Sequence, residues 1–145
     1  SINKLSKMQQ TKEKNHALQN AIGHIESIVE DYEKLSYLEN LNPTTMEQEE
    51  EIEEIRESIL NSALSVQVRS GWTSLNESFE PQEFNILLSW GGPSLRIIGD
   101  LNEYKEPKNP VLQFQDWFTK WEDLKINRQQ YDALVWYCSQ FYFGE

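Results

Sequence analysis

The chain has 145 residues, 38% of them hydrophobic and 12% aromatic, which suffices for one domain whose core needs no covalent staple. Its formal net charge of -11 repels bare nucleic acid and anionic membranes, both of which are bound through clustered Lys and Arg. Cys138 is the single cysteine, so no intramolecular disulfide forms; no apolar signal core opens the sequence and no run nears the ~18 apolar residues of a membrane span, so a cytoplasmic protein is expected.

From Leu18 onward, apolar residues fall at Leu18, Ile22, Ile25, Val29 and Tyr32, in steps of four, three, four and three. This spacing predicts a helix over 15–38, widened by Ile28, Leu35 and Leu38. Before Leu18 the pattern fades into a polar run that is either a solvated helix or a frayed terminus. Asn40-Leu41-Asn42-Pro43 breaks the helix, after which Thr44 or Thr45 offers an N-cap hydroxyl, with Glu47 or Gln48 as its capping-box partner. The second helix carries Ile52, Ile55, Ile59 and Ala63 on one face, and the short connection predicts an antiparallel helical hairpin. The stripe Leu18, Ile22, Ile25, Val29 packs either against this second helix or between chains in a homodimer.

After Leu64 the pattern changes to alternation. Val66 to Trp72 reads as a strand, and Phe84–Trp90 and Leu95–Gly99 read as a β-hairpin around Gly91-Gly92-Pro93-Ser94. The polar stretch 102–110, with two prolines, is expected to be an exposed loop leading to a further strand at Val111–Trp117. Tyr131, Leu134, Val135, Cys138 and Phe141 recur at helical spacing, as a helix covering one face of an antiparallel sheet would require. Eleven of the seventeen Phe, Trp and Tyr residues lie after residue 103, so the aromatic weight sits in the C-terminal part. The expected fold is α+β: a helical hairpin extension over 1–64 and, over 65–145, a small antiparallel sheet covered by a C-terminal helix.

Few residues carry chemistry. His16 and His24 would lie two helical turns and roughly 80° apart, which is poor ligand geometry, and no paired cysteine supports them. Cys138, among Trp136, Tyr137 and Phe141, reads as a buried thiol. Asp100 and Asp116 stand near predicted strand ends, where they are either an acid and base pair or ordinary polar strand ends. Gly91-Gly92-Pro93 lacks the later glycines and the Lys-Ser/Thr pair of a phosphate loop and reads as a turn. No catalytic, metal or cofactor-binding residue is predicted, and no enzyme is expected. Arg96, isolated among apolar residues, calls for a carboxylate or an aromatic face such as a Trp.

Interaction surfaces are more evident. At 100° per residue, Glu47, Glu50, Glu54 and Glu57 project opposite the Ile52, Ile55, Ile59 stripe. Their axial spacing of about 4.5–6 Å is comparable with phosphate spacing along a nucleic-acid strand. Trp72, Trp90, Trp117 and Trp121 exceed what one small core absorbs, which marks them as candidate partner anchors.

The ordered motifs Val68-Arg69-Ser70-Gly71-Trp72, Ile86 to Gly99, Phe114-Gln115-Asp116-Trp117 and Phe141-Tyr142-Phe143-Gly144-Glu145 resemble a family of small proteins from bacterial phages and mobile elements. The resemblance spans roughly residues 66–145. In size and charge the chain also looks like the inhibitors of host defence that such elements carry, notably anti-CRISPR and anti-restriction proteins. That likeness implies a stoichiometric, non-enzymatic inhibitor of a Cas or other defence nuclease in the bacterial cytoplasm. It would work through Glu47, Glu50, Glu54 and Glu57, with Trp72, Trp90, Arg96 and Trp117 as further partner-binding residues.

Overall fold

In a computed structural model, which describes residues 2–117 and 119–144 and the side chains within them except those of residues 2–6 and 9–14, the polar run before Leu18 is helical. Helix α1 spans Ile2–Glu39. Its N-terminal half contains no proline and no glycine before Gly23, and its Lys, Gln and Glu residues are good helix formers. The helix ends where the side chain of Asn40 donates to the Ser36 carbonyl at 2.8 Å. Helix α2, Met46–Ser62, starts at Thr45, whose hydroxyl accepts from Gln48 N at 3.1 Å while Gln48 Oε1 accepts from Thr45 N at 2.9 Å. This closed capping box satisfies two otherwise orphaned amides. Lys34–Glu51 and Arg56–Glu39 ion pairs tie α2 back to α1 as an antiparallel hairpin.

Five antiparallel strands follow as a meander in the order β1 (Ser65–Ser70), β2 (Pro81–Ser89), β3 (Ser94–Leu101), β4 (Pro107–Gln115) and β5 (Glu122–Asp123). The β2–β3 turn needs Gly91 and Gly92, whose φ angles of 74° and 69° lie in the region that side chains disfavour. The stretch 102–110 is not wholly a loop, because β4 begins at Pro107 instead of Val111. Both prolines fit because β5 pairs only with Gln113 and Phe114, leaving the start of β4 at an edge, and because the β3–β4 register breaks opposite Ile98 and Asp100. The remaining turn is closed by Asn102, whose side-chain oxygen accepts from the backbone N–H groups of Tyr104 and Glu106, each at 2.9 Å.

Helix α3, Arg128–Ser139, opens with a second capping box between Asn127 and Gln130. It lies with α1 over one sheet face, from which Phe84, Ile86, Leu88, Leu95, Ile97, Leu112 and Phe114 project into the core. Ala17, Ala21, Ile25 and Ile28 of α1 and Ile59 of α2 belong to that same core, so it runs across residue 64 and the N-terminal helices form a layer of the body. The stripe Leu18, Ile22, Ile25, Val29 therefore faces the chain's own interior, with Ile25 only 1% exposed. Tyr32 and Trp136 join α1 to α3 with ring centroids 5.3 Å apart, and a Ser62–Tyr137 hydroxyl contact joins α2 to α3.

The C-terminal motif closes the core from its far end. Phe143 packs against Phe84 at 4.8 Å between centroids, and Phe84 in turn occupies the space above Gly99, where a Cβ would come within 2.6 Å of the ring. Of that motif, Glu145 lies outside the described residues. The helices cover β2 to β4 but not β1: Val66 and Val68 stand opposite Ile86 and Phe84 on the helix-facing side, yet are 39% and 43% exposed.

Candidate functional site

The acidic row stands where helix periodicity puts it. Ile59 is buried, Ile55 packs half-buried against the core and Ile52 is half-buried, which turns Glu47, Glu50, Glu54 and Glu57 outward, all exposed. Neighbouring carboxylates on the flanks of α2 are engaged, Glu51 with Lys34 and Glu49 with the Thr44 hydroxyl. Among the described residues none of the four in the row makes an ion pair or hydrogen bond.

The tryptophans separate into two groups. Trp72, in the segment after β1, Trp90, after β2, and Trp117, after β4, are exposed, Trp72 completely. Trp90 and Trp117 lie at the same end of the sheet and flank a cleft of about 130 Å³ whose floor includes Gly91, Ser94 and the buried Asp116. Trp121 is half-buried and serves Arg96 instead.

Arg96 projects from β3 on the sheet face opposite the helices, since its neighbours Leu95 and Ile97 point into the core. Its guanidinium lies 4.1 Å from the Trp121 ring centroid, and its Nε donates to Gln113 Oε1 at 2.8 Å. Gln113 passes the interaction on, its Nε2 donating to Asp123 Oδ1 at 2.7 Å. Burial, and to a lesser degree the charge of Arg69, push the Arg96 pKa down. Arg69 itself is held in a two-pronged pair with Glu83, both contacts at 3.0 Å, and this pair keeps the Glu83 carboxyl below its ordinary pKa. Between the two arginines runs a groove of about 590 Å³ lined by Gln67, Asn85 and Ile98 among others, and the Asn85 Oδ1 in it is buried without a hydrogen-bond partner.

No known protein family, curated protein or solved structure matches this chain.

The sequence-predicted partner residues are thus not one site. The glutamate row lies on the helical side of the molecule, Trp90 and Trp117 on one sheet end, Trp72 in the segment after β1, and Arg96 on the opposite sheet face. Which residues serve Arg96 was hidden in sequence, because Gln113 and Trp121 reach it only once the strands are in register, and Asp123 is reached only through Gln113. The isolation of Arg96 among apolar residues called for a carboxylate or an aromatic face, and Trp121 is that face; alternation along β3 and β4 further puts Arg96 and Gln113 on open-face positions.

The remaining candidates disperse. Asp100 is exposed beside Lys108 at one end of β3, whereas Asp116 follows the Ser94–Gln115 pair at the other end, about 20 Å away by strand rise, so the two do not meet as acid and base. Cys138 is fully buried, and burial pushes its thiol pKa up, away from thiolate chemistry. Burial also raises the Tyr137 phenol to about 12, against the smaller opposing effect of its contact with Ser62. His16 is exposed and His24 half-buried, and among the described residues no three His, Cys, Asp or Glu side chains converge on a common point. Among them, too, no helix is long and apolar enough to cross a membrane.

Proposed function

We propose that the chain is a non-enzymatic, stoichiometric inhibitor that inserts α2 into a basic, nucleic-acid-binding channel of an anti-phage nuclease, a CRISPR-Cas effector above all. The observation that carries this reading is the row Glu47, Glu50, Glu54, Glu57, exposed on a capped helix and uncompensated by any cation among the described residues. A rigid line of carboxylates about one phosphate spacing apart offers a basic channel the charge pattern of its own ligand. Such a partner attracts the row at long range and releases it as salt screens the charges. The choice of a defence nuclease rests on the likeness to small mobile-element proteins in motifs, size and charge.

The test is a pull-down against a panel of Cas and restriction nucleases at low and high salt, with the wild type and a variant carrying Glu47→Lys, Glu50→Lys, Glu54→Lys and Glu57→Lys. Capture and inhibition that disappear in the variant, with helicity unchanged by circular dichroism, support the reading. Inhibition equal to wild type removes charge mimicry as the mechanism. A second reading is favoured by the exposure of Trp90 and Trp117: docking through the aromatic end of the sheet. Capture that survives high salt and is lost in Trp90→Ala with Trp117→Ala selects it.

A further inference from the structure

The groove on the open sheet face is a different feature from the acidic row, and its chemistry is opposite. Of the chain's arginines, Arg56, Arg69 and Arg128 each have a carboxylate partner, in Glu39, Glu83 and Asp132. Arg96 has none among the described residues, although the chain carries 24 acidic residues. Instead it is held in place by two neutral groups, the Trp121 ring on its face and Gln113 on its Nε. Those contacts leave the Nη1 and Nη2 edge, the end of the guanidinium fork that grips a planar or tetrahedral oxyanion with two parallel hydrogen bonds.

The surroundings point the same way. Arg96 is paired in register with Leu87, and Ile98 with Asn85, so Arg96 and Asn85 are diagonal neighbours on one face, within reach of a single small ligand. The Oδ1 of Asn85 is buried without a hydrogen-bond partner, and the Nδ2 of the same amide is the donor from which an anion in the groove would accept. A guanidinium fixed by neutral groups, beside an unsatisfied amide, in a groove whose volume suits a small molecule, is an arrangement that an oxyanion completes.

We infer that this groove binds the oxyanion of a small ligand, a carboxylate or a phosphate, with Arg96 as its principal contact and Asn85 as its second. Ile98 gives the ligand body an apolar bed beside the charged end. The site lies on the far side of the sheet from α2, so its occupation does not depend on how the acidic row is used.

The test is a titration of the full chain with acetate and, separately, with inorganic phosphate at constant ionic strength, followed by nuclear magnetic resonance of the Asn85 side-chain amide, the Trp121 indole and the Arg96 Nε–H. Saturable shifts confined to these three groups are expected, with affinity about tenfold weaker or worse in Arg96→Gln. Saturation by acetate alone assigns a carboxylate ligand, by phosphate alone a phosphate ligand, and by both a site selective for charge only. Asn85→Asp, which keeps Arg96 and its supports but adds a negative charge beside them, abolishes binding and serves if Arg96→Gln fails to fold. Shifts that grow linearly without saturating, or identical saturation curves in Asn85→Asp and the wild type, overturn the assignment.

Discussion

The guanidinium carbon of Arg96 lies over the indole of Trp121, 4.1 Å from the ring centroid, although the two are 25 positions and two strand reversals apart. The contact shows how this sheet solves the placing of a charge among apolar strands: the cation is laid on an aromatic quadrupole and steadied by an amide, with no opposing carboxylate among the described residues. A double-mutant cycle of Arg96→Leu and Trp121→Leu in urea is expected to give a coupling of about 0.5–1 kcal/mol at this partly exposed site. Strict additivity of the two substitutions would show that the guanidinium and the indole lie near each other without attraction.

Thr45 and Thr44 provide an internal control for capping. Thr45→Ala removes the hydroxyl that accepts from Gln48 N, and is expected to lower stability by about 1 kcal/mol. Thr44→Ala removes only an exposed hydroxyl contact to Glu49, with an effect of about 0.5 kcal/mol or less. Chemical denaturation of both variants measures the difference, and equal losses would contradict the assignment of Thr45 as the cap.

Two glycines are expected to respond in opposite directions to alanine. At Gly99 a Cβ would stand 2.6 Å from the Phe84 ring and 2.9 Å from the Lys108 carbonyl oxygen, so Gly99→Ala should destabilise by about 1–3 kcal/mol. At Gly23, exposed within α1, nothing lies within 4 Å of the new methyl, and Gly23→Ala should stabilise by about 0.5–1 kcal/mol through helix propensity. Thermal midpoints that move together in either direction would refute this reading of the two sites.

His24 introduces a pH dependence of known sign. Burial holds its pKa below the ordinary 6.5, so on acidification the unfolded chain takes up the proton first. The stability associated with the neutral imidazole is complete above about pH 7 and is lost as pH falls through 6.5 toward the folded-state value. Asp31 acts in the opposite sense at lower pH, because burial raises its carboxyl pKa. Urea midpoints at about pH 7.5 and about pH 5.5 should therefore differ more in the wild type than in His24→Gln. An unchanged difference would show that His24 is hydrated in the folded chain.

What was legible in the sequence was local. A capping box from Thr44 or Thr45 to Glu47 or Gln48, the Gly91-Gly92 turn and the alternation of β2 and β3 each depend on residues a few positions apart; the structure has the turn and the alternation as expected and selects Thr45 with Gln48 for the box. The helical stripe from Leu18 to Tyr32 was also readable, but not the extent of its burial against the sheet. Ala17 and Ala21, which lie at the heart of that contact, carry little hydropathy signal because their value is in letting backbones approach. The start of β4 was masked by Pro107 and Pro110, whose tolerance depends on β5 being too short to pair with them. The glutamate row could be projected from helix geometry alone, whereas the surroundings of Arg96 required strand register, which no local pattern specifies.

The uncovered position of β1 has a consequence for how the sheet breathes. Its outer backbone groups have no neighbouring strand, and Val66 and Val68 gain little from the helical layer above β2 to β4. Amide hydrogens of Gln67 to Ser70 should exchange with deuterium well before those of β3, making this margin the first part of the sheet to open and the last to be held by global stability. At high protein concentration the same margin is where strand-to-strand adhesion between molecules would begin, restrained by Arg69 and the net charge.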